Sequence, residues 1–246
     1  MRYFFIAIIT TISFVSCDTR QGVYVNRQDI SEAALSPGFH TQSAGLTNGD
    51  ELLYGTWIPV IANNRKVPLV IALHYAGPET PYRGYGYMQV LVQPALFSLG
   101  AIIIAPDAPA DSWVDKKSEE VVMSLISAAI EEWPVNPDSI IVTGYSLGGI
   151  GTWYLADKYP DEFALAIPMA SDPVGFVTGK VPHYVIQGSR DELFGTSDVR
   201  RAVEIIKKNG KKAELVIADD LGHYEPGGYI PFLQQSVLWI SEVNKK

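Results

Sequence analysis

Apolar residues are spaced in two ways along this chain. The first is a set of short continuous runs: Val67 to Leu73, Ala101 to Ala105, Ile140 to Val142, Glu162 to Ala170, Val181 to Gln187 and Ala213 to Ala218. Apolar at successive positions and rich in β-branched residues, they predict strands buried on both faces. The second is a helical spacing, seen around Gln89 to Leu99, Ser118 to Glu132, Ile150 to Tyr159, Ser197 to Asn209 and Tyr229 to Val243. In Ser118 to Glu132 the residues Val121, Val122, Leu125, Ile126 and Ala129 share one face, as an amphipathic helix requires. Gly210 stops the fourth of these segments. Ahead of them, Phe39 to Ala44 and Glu51 to Ile61 read as strands joined by a hairpin turn at Asn48-Gly49-Asp50. Alternation of buried strands with helices specifies an α/β fold, a mostly parallel sheet covered on both faces. No internal repeat appears, and residues 37–246 read as one domain.

Residues 1–16 follow neither pattern. Arg2 precedes the apolar run Tyr3 to Val15, and the small Ser16 precedes Cys17. This is the layout of a secretory signal, too short to span a membrane. It resembles a bacterial lipoprotein signal, which implies that Cys17 becomes a lipid-modified first residue anchored to a membrane. An ordinary cleaved signal with a coincidental Cys is the alternative. Residues 17–36 are polar and unpatterned, and are expected to act as a tether. Cys17 is the only cysteine, so no intramolecular disulfide and no thiolate metal site can form. The four His residues lack paired ligand spacing, so neither a metal nor a cofactor is expected. A net charge of −8 with no basic cluster excludes a nucleic-acid partner on electrostatic grounds.

The chemistry concentrates at Gly144-Tyr145-Ser146-Leu147-Gly148-Gly149, between the run Ile140 to Val142 and a helical segment. A strand turning directly into a helix leaves no room for a Cβ two residues before or after the central Ser. The turn also lifts the hydroxyl over the sheet edge at the positive end of the helix. Ser146 is therefore a candidate nucleophile; a capping Ser in a plain strand-to-helix turn is the alternative.

From about Phe39 onward the chain resembles an α/β-hydrolase. It is most similar to secreted esterases of the polyhydroxybutyrate-depolymerase, feruloyl-esterase and phospholipase/carboxylesterase kind. Asn136-Pro137-Asp138 through Ala170 carries the densest likeness, around Gly144 to Trp153. The resemblance implies a helix-covered, mostly parallel sheet and a triad in the order Ser, acid, His. It places the acid after the strand Val181 to Gln187, at Asp191, with Glu192, Asp172, Asp219 and Asp220 as rivals. It places the base after the last strand, at His223, and leaves His40 and His183 as structural residues. His74-Tyr75-Ala76-Gly77 stands where the family has His-Gly-x-Gly, with Tyr75 replacing the first Gly. That implies an oxyanion hole from the backbone N–H of Leu147 and of Ala76, with Tyr75 second for the latter role and His74 structural.

A Ser hydroxyl becomes a useful nucleophile when an imidazole takes its proton and a carboxylate fixes the imidazole's tautomer. The expected activity is that of a serine carboxylic-ester hydrolase working through an acyl-enzyme on acyl, acetyl or feruloyl esters of glycans or similar small esters. A serine peptidase of the prolyl-oligopeptidase type and a non-catalytic surface-binding lipoprotein on a hydrolase scaffold are the other readings. Tyr82, Tyr85, Tyr87, Trp113, Trp153 and Tyr224 are expected near the ligand-binding edge of the sheet. No insertion is long enough for a lid domain, which favours an open site.

Overall fold

The computed structural model describes residues 22–62, 65–173, 175 and 177–243. Eight strands form one sheet: β1 (Gly38–Gly45), β2 (Glu51–Ile58), β3 (Val67–Leu73), β4 (Ile102–Pro106), β5 (Val135–Tyr145), β6 (Leu165–Met169), β7 (His183–Gly188) and β8 (Ala213–Ala218). Their spatial order is β1-β2-β4-β3-β5-β6-β7-β8. β1 and β2 form an antiparallel hairpin, β2 pairs antiparallel with β4, and every later pairing is parallel. This is the α/β-hydrolase arrangement that the sequence resemblance implies.

The continuous apolar runs are explained by burial on two sides. Leu69, Ile71 and Leu73 of β3 pack into one core, with Val121, Val122, Leu125 and Ile126 of α4 (Lys116–Glu132) and Leu155 of α5 (Leu147–Lys158). Val70 and Ala72 enter the opposite core, with Leu91 and Leu96 and with Leu233 and Ile240 of α7 (Ile230–Val243). A third cluster seats α6 (Thr196–Lys208) on Val185 and Trp153. Alternate residues of one strand thus serve two different layers.

Two expectations change. The helix placed around Gln89 to Leu99 begins earlier, at α2 (Arg83–Tyr87), and continues through a π turn (Met88–Val92), α3 (Gln93–Leu96) and a 3₁₀ turn (Phe97–Leu99). Pro94 has no N–H to donate, and the chain widens so that Gln93 N–H reaches Met88 C=O, five residues back.

The tether is the larger correction. Residues 1–21, which include the expected signal and Cys17, lie outside the described residues, but residues 22–36 pack against the domain. Val25 bridges Leu46. Val23 and Val25 donate their N–H groups to Glu120 and Ser124. A short helix α1 (Arg27–Ser31) is capped by the Asn26 side chain, which accepts from Gln28 N–H. Ile30 is fully buried, and its carbonyl accepts the indole N–H of Trp133 at 2.8 Å. So few apolar residues, spaced this widely, leave no periodic trace in the sequence. Ile30→Ala should therefore destabilise the domain by about 2–5 kcal/mol, the usual range for emptying a core aliphatic site. Urea denaturation measures this; a change below about 0.5 kcal/mol, the scale of a neutral surface substitution, would restore the tether.

Candidate active site

β5 delivers Ser146 into a turn that few residues could make. Its backbone sits at φ 55, ψ −117, a strained region for a residue with a Cβ. The turn is held by Ser146 N–H donating to Met169 C=O at 3.0 Å and by Ile150 N–H donating to Ser146 C=O at 2.9 Å. A Cβ on Gly144 would lie 2.1 Å from the Gly148 carbonyl oxygen, and one on Gly148 would lie 1.8 Å from that of Leu73. Both glycines are therefore sterically required, as the strand-to-helix reading of the motif demands.

His223, in the loop after β8, turns its Nε2 to within 2.8 Å of Ser146 Oγ. Its Nδ1 faces Asp191, at 3.0 Å from Oδ2 and 3.2 Å from Oδ1. The Asp191 carboxylate can only accept, so Nδ1 carries the proton and Nε2 is free to accept one from Ser146. The Asp191 side chain is fully buried and that of His223 nearly so. Oδ1 of Asp191 also accepts the N–H groups of Leu193 and Phe194, at 3.0 and 2.9 Å, which fixes the plane of the carboxylate.

The histidine's backbone is held at both ends. Glu192 accepts His223 N–H at 2.8 Å, a contact that holds its carboxyl below the usual range. Tyr145 donates its hydroxyl to the His223 carbonyl at 2.6 Å. Burial pushes the Tyr145 phenol well above its ordinary value, so it remains a donor. Gln187, buried in β7, links Ser171 N–H to the Phe194 carbonyl and braces the acid loop.

The rival acids fall elsewhere. Glu192 grips the backbone of His223 rather than its ring. Asp220 pairs with Arg190 at 2.5 Å. Asp172 has its carboxyl pushed up by burial and by the nearby charge of Asp191. Among the described residues it makes no hydrogen bond to His223.

The rings of the other histidines bond to backbone groups. His40 Nε2 lies 2.7 Å from the Ser36 carbonyl. His74 is buried, donates Nδ1–H to the Tyr75 carbonyl and accepts Ala108 N–H at Nε2. Burial lowers its pKa and favours the neutral ring. His183 donates Nδ1–H to the Val181 carbonyl, and burial pushes its pKa down to about 4. Among the described residues no three His, Cys, Asp or Glu side chains gather into a metal site.

Ser146 and His223 open into a cavity of about 440 Å³ lined also by Tyr75, Ala76, Tyr145, Leu193, Tyr224 and Pro226. Tyr75 and Ala76 both reach this wall, and the first-turn N–H groups of α5, beginning at Leu147, have no intrahelical acceptor. Leu147 and Ala76 also border an adjoining cavity of about 630 Å³, whose charged lining is Glu79, Arg83, Asp107 and Asp111.

Of the aromatics expected at the cleft, Tyr224 alone lines it. Trp113 is buried and donates its indole N–H to the His74 carbonyl, while Trp153 stacks on His183 at 4.8 Å in the core. Tyr87 is buried behind Tyr75, meeting it edge-on at 5.8 Å. Tyr85 packs against Phe39, and Tyr82 N–H is taken by Asp107. The cleft's own aromatic wall is Tyr75 and Tyr145. Sequence reasoning missed Tyr145 in this role, although its position beside Ser146 was a usable signal.

Fold and site together define an α/β-hydrolase with a Ser, His and Asp side chain in hydrogen-bonded series. The chain belongs to the dienelactone hydrolase family, which it matches over residues 85–224, more than half its length. A stretch of 63 residues is 32% identical to an acetylxylan esterase of Coprinopsis cinerea, covering 26% of this chain and 17% of that protein. Among solved structures, a thermostable esterase superposes with a TM-score of 0.70 at 23% identity, over 83% of this chain and 62% of the other. A ferulic acid esterase superposes with a TM-score of 0.67 at 15% identity, over 85% of this chain and 100% of the other. At such identities these structural likenesses establish the fold.

Proposed function

We propose that the protein is a serine carboxylic-ester hydrolase acting through an acyl-enzyme. The observation that carries the reading is the series Ser146 Oγ, His223 Nε2, His223 Nδ1 and Asp191, raised on a strained turn into an open cavity. Ser146 Oγ attacks the ester carbonyl carbon while His223 Nε2 takes its proton. The negative charge passes to the carbonyl oxygen, held by N–H of Leu147 and of Ala76 or Tyr75. Asp191 stabilises the imidazolium, which returns the proton to the alcohol oxygen as the carbon–oxygen bond breaks. Water then repeats the sequence on the acyl-enzyme, releasing the acid and restoring the Ser146 hydroxyl.

The acetylxylan and ferulic acid esterases among the similar proteins support esters of glycans, acetyl or feruloyl, as the substrate class. Release of acid from p-nitrophenyl acyl esters, methyl ferulate or acetylated xylan, with none from peptide amides, is the expected result. Turnover of peptides instead would favour the peptidase reading, and no turnover by the folded protein would favour the binding reading. The signal-like residues 1–16 support export and a lipid on Cys17. Mass spectrometry of the mature protein should find Cys17 first and lipid-modified; an unmodified start elsewhere would make it an ordinary secreted protein.

A further inference from the structure

Resting on the ester-hydrolase reading, we infer that the exposed side chains of Tyr224 and Leu193 form the subsite for the alcohol half of the ester, and that this subsite takes the face of a sugar ring. The proton returned to the leaving oxygen comes from His223 Nε2, so that oxygen must lie against the imidazole edge when the bond breaks. The rest of the alcohol then extends past His223, where it meets Tyr224 and Leu193. The Tyr224 ring stands nearly perpendicular to the His223 ring, at 84° and 5.4 Å between centroids. Both residues line the cavity that holds Ser146.

These two residues are exposed without being loose. Tyr224 is 74% and Leu193 55% accessible, a high exposure for large hydrophobic side chains. Their backbones belong to loops that hydrogen bonds hold in place. Leu193 N–H is bonded to Asp191, and the residue before Tyr224 is gripped by Glu192 and Tyr145. Apolar surface presented on pinned loops beside a reactive group is surface kept for a ligand. Among the described residues that line this cavity, His223 is the only ionisable group besides tyrosines, which points to a neutral alcohol. An alkyl chain gains most in an enclosed slot, whereas this platform is covered on one side only. A sugar ring can lay its C–H face on the tyrosine and keep its hydroxyls in water. The acyl half is left the remainder of the cavity, which Tyr75 and Ala76 line.

The test uses the whole protein and three esters of one acid: methyl ferulate, cyclohexyl ferulate and a feruloyl monosaccharide. For Tyr224→Ala the ratio of kcat/KM on the sugar ester to that on the methyl ester should fall about tenfold, the scale of one ring contact. Tyr224→Phe should retain the ratio, and Leu193→Ala should lower it by a smaller factor. All three esters give the same feruloyl-enzyme, so the loss should fall on acylation and not on breakdown of that intermediate. A ratio unchanged in Tyr224→Ala, or a loss appearing in deacylation, overturns the assignment. A loss seen with the cyclohexyl ester and not with the sugar ester overturns the choice of a sugar. Wild-type protein that turns over neither these esters nor p-nitrophenyl acetate overturns the hydrolase reading and this inference with it; turnover of p-nitrophenyl acetate alone, or of all three ferulates without the selective loss, overturns this inference alone.

Discussion

Ser146→Ala should reduce kcat for ester hydrolysis by about 10⁶-fold, the loss seen when the nucleophile is removed from comparable triads. The fold should survive, because the elbow is made by the backbone. Ser146 N–H to Met169 and Ile150 N–H to Ser146 remain, and the Gly144–Gly148 contact does not involve the hydroxyl. A second variant separates chemistry from strain. The conformation at φ 55 is unfavourable for Ala as it is for Ser, and Gly adopts it freely. Ser146→Gly should therefore be as inactive as Ser146→Ala yet more stable than it, by about 1 kcal/mol. Initial rates on p-nitrophenyl acetate and thermal denaturation of both variants provide the readings. Retention of activity within tenfold of the parent in Ser146→Ala would remove this residue from the reaction.

The elbow could be read from sequence because its constraint is local. Gly144, Ser146 and Gly148 are forced by a turn only a few residues long, and the flanking runs name the strand and the helix. The buried strands were legible for a similar reason, since each shows its burial on both faces in consecutive residues. Boundaries were less so: β5 starts at Val135, ahead of the run Ile140 to Val142, because Val135 pairs with Val67 across a bulge. The folded segment 22–36 was not legible. It depends on Ile30 meeting Trp133, a contact across 103 residues that no window of sequence contains. The same limit applies inside the site. Tyr145 could be seen to neighbour Ser146, but its bond to a carbonyl 78 residues away could not. Likewise the aromatic content of the chain overstated the cleft. Trp113 and Trp153 carry the largest apolar surfaces and went to the core, leaving the smaller phenols at the wall.

Asp191→Asn should lower kcat by about 10⁴-fold while leaving the acid loop in place, and the surrounding hydrogen bonds give the reason. An asparagine side chain has one accepting oxygen and one donating NH₂ group. The N–H groups of Leu193 and Phe194 both point at the Oδ1 position, so they select the amide oxygen for that place. The NH₂ group is thereby forced into the Oδ2 position, 3.0 Å from His223 Nδ1. Facing a donor, Nδ1 must give up its proton and accept, and the proton moves to Nε2. That nitrogen is then a donor toward Ser146 and cannot take its hydrogen, so the base is lost with the shape of the site preserved. Asp191→Ala has neither the carboxylate nor the misdirecting amide, which leaves Leu193 and Phe194 N–H unpaired and the acid loop less ordered. It should therefore lose stability as well as rate, whereas Asp191→Asn should lose mainly rate. Asp172→Asn should stay within about tenfold of the parent, because its carboxyl makes no hydrogen bond to His223 among the described residues and can act on the ring only through space. Steady-state kinetics on one p-nitrophenyl ester decide the matter: a nearly silent Asp191→Asn beside a disabled Asp172→Asn would transfer the role of the acid to the strand end after β6.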